Sequence, residues 1–157
     1  MLGMQDDISD LELKQRWRLY WINSIFEFSN IKLQELSWVQ GSKADWPNEE
    51  VWESSYQECI SSYFDTLGLY DAYEKALKSS HISKEELDTA REFHTLAAFY
   101  EEPSQDPEII LKDEEWLEVV ASAKEFWEYL KNRVTSPREI ELVQKLEKFS
   151  QEIENIS

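Results

Sequence analysis

Glycine, proline and cysteine are scarce in this chain of 157 residues, which has three Gly, four Pro and one Cys. So few turn-forming residues disfavour the many tight turns of a small β-sandwich or barrel, and they favour long uninterrupted elements. The single cysteine, Cys59, excludes an internal disulfide and is typical of a reducing compartment. We therefore expect a cytoplasmic protein built from long elements.

Signals for targeting and for membrane insertion are also lacking. No window approaches the run of about 18 apolar residues that spans a bilayer, and the first residues lack the basic and apolar regions of a secretory signal. The net charge of −17 would be repelled by phosphate backbones and by anionic headgroups. We therefore expect neither a membrane nor a nucleic acid as partner.

Residues that hold metals, phosphates or nucleophiles do not occur at useful spacings. Neither His81 nor His94 follows a glutamate by three residues, as a di-metal site in a helical bundle requires. Three isolated glycines cannot form a phosphate-binding loop. Cys59 and His94 both lie on apolar stripes, where a buried thiol and a hydrogen-bonded core histidine are expected. The sequence therefore predicts no metal, no cofactor and no catalytic residue.

Apolar residues at helical spacing are what the chain has in abundance. Seven residues each of Trp, Tyr and Phe are ample for a core. The spacing predicts helices over about residues 9–28, 48–67, 69–77, 84–100, 113–133 and 137–153. The first is apolar around most of its circumference and should be central. We predict an all-α fold, a compact bundle of five or six amphipathic helices of open topology, with residues 1–157 forming one domain.

Several local signals mark where helices begin and end. Ser83 followed by Glu86 is a capping box, and Ser136 with Pro137 and Glu139 is a second strong start. Gly68 permits a break. Pro103 and Pro107 should leave a loop over about residues 102–112, and residues 31–46 could extend the first helix or be irregular.

Two bases on the first predicted helix, Lys14 and Arg18, share one helix face. They could receive an acidic ligand. In so acidic a chain, however, we expect their partner to be a carboxylate of this chain or of another subunit.

Negative charge is concentrated between residues 101 and 118. This run has a single base, Lys112, and eight carboxylates: Glu101, Glu102, Asp106, Glu108, Asp113, Glu114, Glu115 and Glu118. Part of the run is ordinary chemistry of a helix start, where acids interact well with the helix dipole. The rest indicates a solvated loop or a surface for a basic partner.

We favour a non-catalytic protein-interaction module that binds a basic protein. Tryptophans beside carboxylates are typical of a binding hot spot. The predicted partner-binding residues are Glu101, Glu102, Asp106, Glu108, Asp113, Glu114, Glu115, Trp116, Trp38 and Trp46. By analogy only, a small acidic immunity protein neutralises a basic nuclease in this way, and an anti-activator could neutralise a DNA-binding protein.

Two alternatives from other classes stay open. The first is an enzyme or small-ligand binder whose site lies between helices, which requires a sizeable cavity. The second is a homo-oligomeric structural protein, for example a homodimer, which requires an exposed apolar patch.

Overall fold

The computed structural model describes residues 9–40 and 54–155, and within those ranges every regular element is helical. The α-helices are α1 (Asp10–Ser29), α2 (Ile31–Gln34), α3 (Tyr56–Ser61), α4 (Glu74–Lys78), α5 (Lys84–Phe99), α6 (Pro107–Ile110), α7 (Glu114–Lys131) and α8 (Pro137–Glu154). Wider π-helical turns continue α2 over Glu35–Gln40 and α3 over Ser62–Thr66, and a 3-10 turn spans Leu69–Asp71. The all-α prediction is confirmed, but five or six helices were too few for the described part, which has eight.

The described helices include none that combines the length and the apolar character needed to span a membrane.

Helix α1 is the central element, as its apolar circumference predicts. It packs along α7 and α8 and also contacts α2 and α3. Its second half is almost completely buried, with Trp21, Ile22, Ile25 and Phe28 at 0% exposure. Each such side chain contributes about 1.5–3 kcal/mol through removal of its apolar surface from water. Helix α5 completes the bundle by packing against α7.

Serine caps set several helix starts, and one of them corrects a predicted boundary. The Oγ atoms of Ser83 and Ser136 accept the backbone N–H of Glu86 and Glu139, as the sequence predicts. The helix predicted over residues 48–67 instead starts after Ser55, whose backbone is extended and whose Oγ caps the N–H of residue 58. Residues 48–53 lie outside the described ranges. A serine followed three residues later by a glutamate was the signal for this start.

The predicted loop over residues 102–112 contains the short helix α6, so an uninterrupted loop was wrong there. Pro107 occupies the first helical position, where its missing N–H costs nothing. The carboxylate of Asp106 caps the turn by accepting the N–H of Glu108 at 3.0 Å. Proline interrupts a helix but also suits its first turn, and Pro107 has the second role.

Left-handed backbone separates α3 from α4. Gly68 has φ +69°, which confirms the predicted break. The helix predicted over residues 69–77 was too long, because Ala72 and Tyr73 also adopt positive φ and α4 begins only afterwards. Left-handed geometry costs about 1–2 kcal/mol for each non-glycine residue. At Tyr73 full burial and two hydrogen bonds at the phenol oxygen, to the Trp21 indole N–H and the Tyr63 hydroxyl, offset that cost.

Arg18 on α1 ties the first turns of α5 and α8 together. Its Nη1 and Nη2 atoms donate to the two carboxylate oxygens of Glu86 at 3.0 and 2.9 Å, and its Nε donates to Glu139 at 3.1 Å. Nη1 also donates to the carbonyl of His81 at 2.8 Å. The Arg18 side chain is only 11% exposed. The prediction that this base meets carboxylates of its own chain is therefore confirmed.

Replacing Arg18 by Met should destabilise the fold by about 3 kcal/mol, because two largely buried carboxylates then lose their counter-charge. Urea unfolding at neutral pH measures the change. Arg16→Met is the matched control, since Arg16 lies on the same helix with a 58% exposed side chain. The control should stay within about 0.5 kcal/mol of the parent, and an Arg18 variant that does the same would contradict the proposed role.

Candidate functional site

Carboxylates cover the surface formed by α6, the segment before it and the first turns of α7. We call this the acidic surface, and its exposed carboxylates are Glu101, Glu102, Asp106, Glu108, Glu114, Glu115 and Glu118. The eighth carboxylate of the run, Asp113, is half-buried. None of the eight forms an ion pair with a base in the described ranges. The negative charge of this surface is therefore uncompensated there.

Two tyrosines hold the acidic surface against the core. The hydroxyl of Tyr56 donates to Glu102 at 3.1 Å, and that of Tyr100 donates to Asp113 at 2.8 Å. Burial, together with the neighbouring carboxylates, raises the pKa of both phenols well above the usual value. Both hydroxyls therefore keep their protons and remain donors. Asp113 occupies the cap position of α7, but its carboxylate serves Tyr100 instead of capping the helix.

Two of the three predicted tryptophans, Trp38 and Trp116, lie beneath the acidic surface. Trp116 is completely buried, and its indole N–H donates to the Gln34 side chain at 3.0 Å. Its ring packs 5.8 Å from that of Trp38, 5.5 Å from that of Tyr56 and 5.1 Å from that of Tyr100. Trp38 is 9% exposed, and Trp46 lies outside the described ranges. The two described tryptophans thus support the surface from within and offer no exposed ring.

Sequence reasoning missed the apolar side chains that accompany the carboxylates. Phe99 at the end of α5 is 80% exposed, Ile109 on α6 is 47% exposed and Leu117 on α7 is 41% exposed. Leu117 shares a helix side with Asp113 and Glu114, because residues three and four apart are neighbours on a helix. Phe99 and Leu117 each adjoin a buried aromatic residue in the sequence. In the sequence, such an exposed side chain is indicated by an apolar residue that lies one position away from the buried stripe of its helix.

A second feature is a pocket of about 710 Å³ between α1 and the first turns of α5 and α8. It is lined by Leu11, Lys14, Gln15, Arg18, Ser80, His81, Ile82, Ser83, Glu86, Tyr129, Arg133, Thr135, Ser136 and Glu139. The pocket wall therefore contains three bases and two carboxylates, and one of the bases, Arg133, pairs with Glu85 outside the wall. The cavity that the ligand-binding alternative requires is present.

The bases of the pocket differ in how they are paired. Both pocket carboxylates are held by Arg18. Arg133 pairs with Glu85 at 2.5 Å, and its guanidinium lies 5.3 Å from the centre of the Tyr129 ring. Lys14 is half-buried and has no ion pair with any described residue. Burial and then the charge of Lys14 lower the pKa of His81, so its imidazole is neutral at neutral pH.

The thiol and the second histidine do not form a catalytic pair. Cys59 is fully buried, and burial raises the pKa of its thiol well above the usual value, so the nucleophilic thiolate is suppressed. His94 is 7% exposed and accepts from Tyr63 in the core. The predictions of a buried thiol and a hydrogen-bonded core histidine are confirmed. Among the residues that the structure describes, no group of His, Cys, Asp or Glu could hold a metal ion.

A chain of hydrogen bonds fixes the proton positions around His94. The indole N–H of Trp21 donates to the Tyr73 hydroxyl at 3.1 Å, the Tyr73 and Tyr63 hydroxyls are 2.5 Å apart, and Tyr63 is 2.8 Å from Nδ1 of His94. An indole can only donate. If each hydroxyl proton is to have an acceptor in the chain, Tyr73 donates to Tyr63 and Tyr63 donates to His94. The imidazole therefore carries its proton on Nε2.

Searches of protein-family models, curated proteins and solved structures found no match to this chain.

Burial lowers the pKa of His94, so the unfolded chain binds a proton more readily than the folded one. Stability should therefore fall as the pH drops through about 6.5 toward the lower pKa of the folded state, by at most about 1.4 kcal/mol per pH unit for this one group. Urea unfolding across this range should show a shallower decline in His94→Gln, since an amide does not titrate. A His94→Gln profile parallel to that of the parent would contradict the neutral, hydrogen-bonded histidine.

Proposed function

We propose that this chain is a non-catalytic protein-interaction module whose acidic surface binds a basic protein. The observation that carries the proposal is the acidic surface itself, with seven exposed carboxylates that form no ion pair with a base in the described ranges. Exposed carboxylates crowded in this way repel one another, and a basic partner would relieve that repulsion. Electrostatic attraction speeds the association of such a partner and makes the association rate depend on the salt concentration.

Exposed apolar side chains beside the carboxylates distinguish the acidic surface from a segment that is only charged and solvated. Ile109 and Leu117 lie among the carboxylates in the sequence and Phe99 lies two residues before the first of them, and the three are exposed by 47%, 41% and 80%. Protein interfaces combine an apolar centre, often aromatic, with a polar rim. These three side chains could form the centre and the carboxylates the rim.

The surface is also held in place before any partner arrives. Tyr56 and Tyr100 hold Glu102 and Asp113 through hydrogen bonds from the buried side. A surface that is already ordered loses little conformational entropy on binding. Such a module suits a neutraliser that covers the cationic surface of a nuclease or of a DNA-binding protein. A cytoplasmic location is part of the proposal and is consistent with the one buried, unbridged cysteine.

The test compares two triple variants that remove the same charge from different places. Glu101, Glu108 and Glu115 changed to Gln remove three exposed carboxylates whose side chains make no hydrogen bond within the described part. Glu92, Glu141 and Glu154 changed to Gln are the control, because they are exposed on α5 and α8 and are also unpaired among described residues. Capture from native lysate at low salt, with identification of the retained basic protein, supplies the partner.

The proposal predicts that the acidic-surface variant binds the identified partner at least about tenfold more weakly, mainly through slower association. The control variant should bind with a rate and salt dependence close to those of the parent. Phe99→Ser should weaken binding by faster dissociation, because it removes apolar contact and no charge. Equal binding by both triple variants would reject the acidic surface as the contact.

A further inference from the structure

We propose that the pocket between α1, α5 and α8 binds a small organic anion, a carboxylate or a phosphate ester, with the ammonium group of Lys14 contacting the anionic group. This inference does not depend on the acidic surface or on a protein partner, since the pocket is formed by different residues.

The size of the pocket suits a small molecule. Pockets that hold metabolites and drug-sized ligands span about 300–1,000 Å³, and this one encloses about 710 Å³. Its walls contain apolar side chains, Leu11 and Ile82, beside the polar ones. An anion with a compact carbon body therefore fits better than a bare inorganic ion.

Lys14 carries the argument about charge. The other two bases of the pocket already have carboxylate partners, Arg18 in Glu86 and Glu139, and Arg133 in Glu85. Lys14 has none among the described residues, although the chain has 33 acids for 16 bases. A half-buried lysine that lines a pocket without a counter-ion favours an anion there.

Two helix starts add to the positive potential. Helices α5 and α8, of 16 and 18 residues, contribute their N-cap residues Ser83 and Ser136 to the pocket wall. The N-terminal end of a helix carries a partial positive charge that favours anions. In each helix the glutamate at the third position takes part of that potential, and the two glutamates share the single positive charge of Arg18.

Neutral groups complete the site. His81 lines the pocket next to the charge of Lys14, and its imidazole is uncharged at neutral pH because its pKa is lowered. Together with the hydroxyl of Thr135, it offers hydrogen bonds that can orient a ligand without adding charge. In this site the ammonium group of Lys14 contacts the anionic group of the ligand, and the neutral groups contact its carbon body.

Histidine NMR provides a direct readout, because His81 lines the pocket and His94, the only other histidine, is buried in the core. The full chain is titrated at about pH 7.5, where both imidazoles are neutral, and at constant ionic strength. The probes are phenyl phosphate, benzoate and benzyl alcohol, which share one carbon body and differ in the charged group. The proposal predicts a saturable shift of the His81 signal with at least one anion, and an unmoved His94 signal.

The two anions distinguish the two chemical classes of ligand, phosphate esters and carboxylates. A response to phenyl phosphate alone assigns a phosphate ester, and a response to benzoate alone assigns a carboxylate. Lys14→Met should weaken the saturable binding by about tenfold or more, with little change in stability. Lys112→Met, which removes an exposed lysine outside the pocket, is the control and should bind as the parent does.

Three results would overturn the proposal. The first is the absence of a saturable His81 shift with either anion, and the second is an equal shift with benzyl alcohol. The third is unchanged binding in Lys14→Met, which would remove the ammonium group from the site. Because these titrations contain no protein partner and Lys14 lies outside the acidic surface, none of these results bears on partner binding.

Discussion

One largely buried guanidinium group, that of Arg18, joins three helices that are far apart in the sequence. Removal of a charge from water is costly, and it is tolerated only where counter-charges and hydrogen bonds replace the water. Here Glu86 and Glu139 supply the counter-charges and the His81 carbonyl a further acceptor. Burial alone would raise the pKa of Glu86, yet Arg18 and the backbone of Ser83 hold it below the usual value. The helix starts and the ion pairs therefore stabilise one another.

The same arrangement explains why the protein has two surfaces of opposite character. Arg18 uses the pocket carboxylates, which leaves Lys14, one helical turn earlier, as the base that faces the pocket without a described partner. At the acidic surface the carboxylates Glu102 and Asp113 are held by tyrosine hydroxyls instead of by a base. These neutral donors add no positive charge. Charge is thus paired around Arg18, whereas Lys14 and the exposed carboxylates of the acidic surface have no ion pair with a described residue.

The sequence predicted a helix well where the signals for it come from residues close together in the chain. The stripes of α1, α5, α7 and α8 and the caps at Ser83 and Ser136 depend on residues within one turn of each other, so they can be recognised without the fold. The left-handed backbone at Tyr73 could not be predicted, since hydrogen bonds from distant residues stabilise it. For the site, the carboxylates were identifiable by composition, whereas the pocket required knowledge of which helix starts meet Arg18.

Amide hydrogen exchange tests the role of Arg18 most directly. The N–H groups of Leu87 and Ile140 make the first intrahelical bonds of α5 and α8, to Ser83 at 3.0 Å and Ser136 at 2.9 Å. In Arg18→Met both amides should lose protection together, and by more than Leu117, which makes the equivalent bond in α7. Equal loss at all three amides, or none at Leu87 and Ile140, would contradict the account in which one guanidinium holds both helix starts.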